Sequence, residues 1–439
     1  MKSPQKSKAL ELRAEGLFTE KLEYLCPSGA TPDRLERIKS LFATWTAENP
    51  SGPVHSGYRR QILAREGLGS SKMLAQKLRE RFDSMLVLGI GGSALGVKTG
   101  LSALSWAVPQ GERRKVLVAE NIDPLDFETL WAQLRPESTC FVVISKSGGT
   151  IETISQLAVV LERLKAAGLD PSQHVVAVTD PTKGSLRAWA ADEGVQTLDV
   201  PSDVGGRFSV LTPVGLLPLA FAGLDVESLV ESAARQFEGL GLPLDSLAKV
   251  ALRLTELERS GLVGHVLMPY ATSLREFGDW FVQLWGESLG KIRAEGGAVG
   301  PIPIAALGAT DQHSLLQLLV EGPRQIITGF LRVENWPSFG PRSPAVHKLP
   351  QHFASLSFAV GRSFGEILNA EMVATKRVLE DRGRPVYEIV LDQLSPESLG
   401  ALFAVYMDLV TLAAAAYEVN PFDQPGVEFG KKILPEILA

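Results

Sequence analysis

Short, nearly continuous apolar runs recur through this chain at Met85–Ile90, Lys115–Ala119, Thr139–Ile144, His174–Val178 and Gln196–Val200. Segments of helical period, such as Ile151–Ala167 and Ser185–Asp192, lie between them. A strand that is apolar throughout, rather than at alternate residues, is buried on both faces. Such strands interleaved with helices build a parallel sheet covered on both sides. A mostly helical stretch at 211–261 follows, and then a second series begins. Its predicted strands are Gly264–Pro269, Ile302–Leu307, Gln325–Val333 and Pro385–Leu391, with helices at 275–289, 311–321, 363–382 and 395–418. We therefore expect an α/β fold of two domains, each a parallel sheet flanked by helices, with helical additions at both ends. The expected division is a helical arm at 1–60, a first α/β domain at 61–225, a second at 226–415 and a C-terminal segment at 416–439.

The 439 residues carry a net charge of −6, so a domain-sized basic surface is not expected and nucleic acid is a poor partner. The two cysteines, Cys26 and Cys140, match no metal-site spacing, and Cys140 in its apolar run reads as an inert buried thiol. So few cysteines suit a reducing compartment. Met1–Lys6 leads into mixed charge rather than an apolar signal segment. The apolar stretches 210–224 and 402–419 are interrupted by Pro213 and Pro218 and by Asp408, and they read as core helices rather than membrane spans. The expectation is a cytoplasmic protein without membrane contact.

Chemistry gathers where strands hand over to helices. Gly89-Ile90-Gly91-Gly92-Ser93 follows a strand, where glycines let a ligand approach the backbone and a following helix offers N–H groups. The spacing is not the G-x-G-x-x-G of a dinucleotide site, since Ala94 holds the last glycine position, although Glu120 ends the next strand. A structural turn is as good a reading of this loop taken alone. Ser145-Lys146-Ser147-Gly148-Gly149-Thr150 follows the strand Thr139–Ile144. One hydroxyl would suffice to cap the next helix; three, with two glycines, favour a phosphate needing several convergent donors.

Four further segments carry a plain structural reading, a chemical one or both. Arg207, after Gly205-Gly206, either closes a turn by a salt bridge or stabilises negative charge on a substrate. Gln283 and Glu287 lie four apart on one helix face, and Glu287 either pairs with Lys291 or acts as a general base. His313 begins a predicted helix and could exchange protons near neutral pH. Asn420–Lys432 reads as a turn, a helix start and a solvated lysine pair.

In this order, the segments resemble the glucose-6-phosphate isomerase (phosphoglucose isomerase) family in its compact bacterial form. Ser202–Gly215 and Phe422–Lys431 resemble its two signatures, and Gly89–Ser93, Ser145–Thr150, Gly286–Lys291 and Gln312–His313 fit the motifs between; the likeness spans roughly residues 40–435. The resemblance implies two doubly wound sugar-isomerase domains, of the SIS type, the first binding phosphate and the C-terminal segment completing the active site. It implies interconversion of glucose 6-phosphate and fructose 6-phosphate, no metal or organic cofactor, and a homodimer. Carried over by position, Glu287 resembles the base that moves a proton between C1 and C2, and Arg207 the group that holds the enediol(ate) charge. His313 resembles the ring-opening residue supplied by the partner subunit, and Lys431 the lysine that helps handle the ring oxygen. Ser145, Ser147 and Thr150, with the backbone N–H of Lys146, match the phosphate cluster. Gly92, Ser93, Gln283 and Gln424 match the lining of the sugar site. Ser147 stands where many relatives have threonine, which keeps the hydroxyl. Three rivals remain: an isomerase that also takes mannose 6-phosphate, a sugar-phosphate sensor without catalysis, and an NAD-linked dehydrogenase resting on the first glycine loop and Glu120.

Overall fold

The structure, a computed structural model, describes residues 10–17, 19, 28–47 and 55–439, and of Pro341, Glu428, Phe429, Lys431 and Lys432 the backbone alone. In chain order its strands are β1 (Leu10–Arg13), β2 (Ser84–Leu88), β3 (Lys115–Ala119), β4 (Thr139–Ile144), β5 (Val175–Thr179), β6 (Gln196–Asp199), β7 (Gly264–Pro269), β8 (Lys291–Ile292), β9 (Ala298–Val299), β10 (Ile302–Ala305), β11 (Ile326–Val333) and β12 (Val386–Leu391). All residues of β2, β4, β5, β7 and β12 are buried, as continuous apolar runs require.

The first sheet has the order β3-β2-β4-β5-β6, with every pair parallel. The chain winds from β2 to one side and then returns to place β4 on the other. The loops leaving β2 and β4 therefore diverge and open a crevice at the carboxyl ends of those strands. The second sheet, β1-β12-β11-β7-β10, repeats the pattern, with its reversal between β7 and β11. β8 and β9 form a small antiparallel hairpin of their own.

Among the described residues of the expected helical arm at 1–60, one segment is a strand. β1 pairs antiparallel with β12, Leu10 opposite Leu391, and so completes the second sheet. Leu10, Leu17, Ile38, Phe42 and Tyr58 enter the main core. Leu10-Glu11-Leu12-Arg13 does alternate, but four residues also fit one turn of helix, and the partner strand is remote in sequence. Cys26 lies outside the described residues.

The helix Pro396–Tyr417 is long and apolar enough to cross a membrane by length and composition, yet from Ser398 to Tyr417 it is buried inside the protein. It packs on helices Val226–Phe237 and Leu244–Arg259 and on Arg275–Leu289. The core around it draws residues from both halves, from Leu104, Phe208 and Leu219 to Leu267, Phe277 and Tyr387. Its one charged core residue, Asp408, accepts a hydrogen bond from Tyr58 Oη at 2.8 Å and pairs with Arg59. Both sheets are thus held against a shared helical layer, which sets the loops of one half against those of the other.

Candidate active site

The hydroxyl cluster follows β4 directly. Thr150 occupies the N-cap position of helix Ile151–Ala166 but makes no capping hydrogen bond with its side chain. Its Oγ1 lies instead 3.0 Å from Ser145 Oγ and 3.4 Å from Ser147 Oγ. The backbone N–H groups of Gly148 and Gly149 reach Ser145 Oγ (3.1 Å) and Ser147 Oγ (3.4 Å). Three hydroxyls thus face one another at a helix N-terminus that none of them caps, an arrangement suited to an anion. Gly148 has φ +69°, and a Cβ there would sit 2.9 Å from the amide nitrogen of Leu186, so the bend requires glycine.

Lys146 points its ammonium away from this cluster. Nζ donates to the carbonyls of Ser202 and Val204 at 2.8 Å each and lies 2.9 Å from His55 Nδ1. Burial lowers its pKa. Its side chain ties the hydroxyl loop to the loop that leads into Arg207.

The glycine loop after β2 meets the same region. Gly92 lies so close to Gly206 that a Cβ at position 92 would fall 2.2 Å from the Gly206 carbonyl carbon. Ser93 closes the same tight turn, Gly91–Ser93. This contact sets the turn Gly206–Phe208 and with it Arg207, which is 2% exposed. Arg207 donates from Nε to Ser288 Oγ (2.8 Å) and from Nη1 to Glu287 Oε2 (3.0 Å) and Gln424 Oε1 (3.0 Å). Nη2 donates to the carbonyls of Pro421 and, at 3.0 Å, Asp423. Burial draws the pKa of the guanidinium down, and the Glu287 carboxylate opposes that shift.

Glu287 and Gln283 project from helix Arg275–Leu289, whose other face buries Phe277, Trp280, Phe281, Leu284 and Trp285. One turn apart, Gln283 Nε2 donates to Glu287 Oε1 at 3.1 Å. Gln283 Oε1 is buried with no hydrogen-bond partner among the described residues, an acceptor placed for a ligand hydroxyl. The alternative pairing of Glu287 with Lys291 does not form: Lys291 instead donates to Asp423, its Nζ 2.8 Å from Oδ1 and also bonded to the main-chain carbonyl.

The structure therefore brings together Gly92, Ser93, Arg207, Gln283, Glu287 and Gln424, and ties the cluster Ser145, Ser147 and Thr150 to them through Lys146 and the pairing of β2 with β4. His313 stands apart. It lies in the first turn of helix Gln312–Glu321 with its ring exposed, and no hydrogen bond joins it to this group among the described residues. Lys431 falls on helix Glu428–Leu438, but its side chain lies outside the described residues. Sequence reasoning assigned no role to Ser288, Pro421 or Asp423, although all three lie in or beside segments it singled out. The spacing between them could not show that Arg207 reaches all three. Glu120, the carboxylate a dinucleotide ribose would need, is engaged by Lys98 at 2.5 Å, which weakens the dehydrogenase reading.

The chain matches the family model for phosphoglucose isomerase over residues 72–439. It is 41% identical over 385 residues to a glucose-6-phosphate isomerase of Carboxydothermus hydrogenoformans, covering 84% of this chain and 82% of the relative. It is 38% identical over 428 residues to one from Rubrobacter xylanophilus, covering 95% and 94%. Among solved structures it is similar to a hypothetical protein from Thermus thermophilus, with TM-score 0.85 and 34% identity over 98% of this chain and 100% of that one. A glucose-6-phosphate isomerase from Chlamydia trachomatis shares the fold, with TM-score 0.78 and 24% identity over 92% of this chain and 84% of that one. With its two doubly wound halves and a family match running from the helix before β2 to the last residue, the chain belongs to the phosphoglucose isomerase family.

Proposed function

We propose that the chain carries out its family's reaction, the reversible isomerisation of glucose 6-phosphate and fructose 6-phosphate, at the site built around Arg207 and Glu287. The observation that carries this reading is the contact of a buried guanidinium with the Glu287 carboxylate at 3.0 Å, beside a group of hydroxyls that no helix cap uses up.

On this reading, Ser145, Ser147, Thr150 and the N–H of Lys146 hold the phosphate, and Gly92, Ser93, Gln283 and Gln424 line the sugar. After ring opening, Glu287 takes the proton from C2 of the aldose. The C2–H electrons form the C1–C2 double bond while the C1=O1 π pair moves onto O1, leaving a cis-enediol(ate). Glu287 then returns the proton to C1, while a hydroxyl proton passes from O2 to O1, so the step is an internal redox exchange needing no outside electron carrier. All five N–H groups of Arg207 are already used, so a substrate oxygen reaches the guanidinium only by displacing one of these partners, here Glu287 at Nη1. That exchange frees the carboxylate as negative charge arrives at the arginine. Electrostatic stabilisation of this kind is worth about 10²–10³ in rate per donor. We assign ring opening to His313, supplied by a second copy of the chain, and to Lys431.

The test is the conversion of fructose 6-phosphate by wild type and Glu287→Gln, with EDTA and without added metal. We expect activity in the wild type, and a folded variant that binds the sugar phosphate and has lost nearly all turnover. A folded wild type that binds the sugar phosphate without converting it would point to a sensor. Mannose 6-phosphate as alternative substrate separates the dual isomerase.

A further inference from the structure

Lys291 sits where the catalytic helix ends. Gly290 closes helix Arg275–Leu289, and Lys291 opens the β8–β9 hairpin, four residues beyond Glu287. Its side chain is 7% exposed, so its ammonium has left water and needs strong partners. It finds both in one residue, the carboxylate of Asp423 at 2.8 Å and the Asp423 main-chain carbonyl. Arg207 donates to that same carbonyl at 3.0 Å. The second carboxylate oxygen of Asp423 accepts from Asn420 Nδ2 at 2.8 Å, and Asn420 Oδ1 accepts from the N–H of Phe422 at 2.9 Å. Residues 420–424 are thus a closed loop clamped by two cations, one from each half of the molecule. Two cations (Arg207, Lys291) and two carboxylates (Glu287, Asp423) balance within the cluster.

We propose that Lys291 is a positioning residue: by holding Asp423 it fixes the 420–424 loop against Arg207, and so places Gln424 beside Glu287 on the same guanidinium nitrogen. This rests on the isomerase reading above. Lys291 touches no reacting atom; it acts through the loop. Without its charge the cluster holds one cation against two carboxylates, and the loop, although Phe422 stays packed on Tyr58 and Phe208, loses its tie to the β8–β9 hairpin.

The experiment compares wild type, Lys291→Met and Lys291→Arg by steady-state kinetics, thermal melting and amide hydrogen exchange of a peptide covering 418–430. In Lys291→Met we expect exchange in that peptide to speed up roughly tenfold, as local opening becomes easier, and kcat/KM to fall by about 10²-fold from misplaced groups. The melting temperature should move little, and Lys291→Arg should recover much of both effects. Unchanged exchange and kinetics in Lys291→Met would overturn the proposal. So would a fall in melting temperature with kcat unchanged, which marks a merely structural pair. Should Lys291→Met not fold, Asp423→Asn weakens the tether from the other end and is read the same way. Where both fold, the double variant should be no worse than the worse single one, and additive losses would also overturn the proposal. If wild type converts neither sugar phosphate, the isomerase reading fails, while hydrogen exchange still decides whether Lys291 holds the loop.

Discussion

A guanidinium buried to 2% exposure must find an acceptor for each of its five N–H groups, and Arg207 does so with five partners drawn from helix Arg275–Leu289 and the C-terminal loop. Lysine cannot reproduce that fork. Arg207→Lys should fold, because the ammonium still meets Glu287, and should lower kcat by about 10²–10³-fold; initial rates with fructose 6-phosphate check this, and a fall under tenfold would deny the arginine its charge-stabilising role. Cys140 offers a test of burial. It is fully buried in β4, and desolvation pushes its thiol pKa up to about 12. In a Cys26→Ser background, a thiol reagent at pH 8 should leave Cys140 unmodified in the folded protein and modify it promptly in denaturant.

At the scale of elements, the site depends on two backbones in contact. The turn after β2 touches the turn before Arg207 at Gly92 and Gly206, with no room for a side chain at position 92. Gly92→Ala must push them apart. It should cost about 1–3 kcal/mol of stability and a larger share of kcat/KM, since Arg207 moves with its turn; chemical denaturation and initial rates measure the two. The strands and helices themselves were legible from sequence, because continuous apolar runs and helical periods report burial directly. β1 and the two-residue strands β8 and β9 were not, because two to four residues carry too little pattern, and the partner of β1, β12, lies far along the chain. The pairing of Glu287 was misleading for a related reason. Helical spacing offered Lys291, but spacing cannot weigh Arg207, 80 residues away in sequence and 3.0 Å away in space.

For the whole molecule, the shared helical layer holds both halves in register, and the ion pair of Arg59 with the buried Asp408 stands within it. Asp408→Ala strands Arg59 and should destabilise the protein by about 3–5 kcal/mol, read by denaturant unfolding. Adding Arg59→Met to Asp408→Leu should recover most of that loss, since Thr411 Oγ1, 3.3 Å from Tyr58 Oη, remains as an acceptor for that hydroxyl. The exposed ring of His313 bears on assembly. If a second copy supplies it, a mixture of the inactive variants His313→Ala and Glu287→Gln should regain roughly a quarter of wild-type activity, as random pairing builds one intact site in half of the dimers. No regain in a mixture shown to exchange subunits would place the histidine in its own chain's site or outside the reaction.

The sequence by itself determined the α/β class, the order of nearly all strands and helices, and the segments that carry chemistry, because burial and turn formation are local demands written in residue type and spacing. Only the tertiary structure decided which of those segments meet. Arg207, Glu287 and Gln424 come from three distant parts of the chain, and their contact follows from strand order, loop divergence at the switch point and the helix packed between the halves. Those are non-local energies, summed over the whole core, that no short stretch of sequence contains.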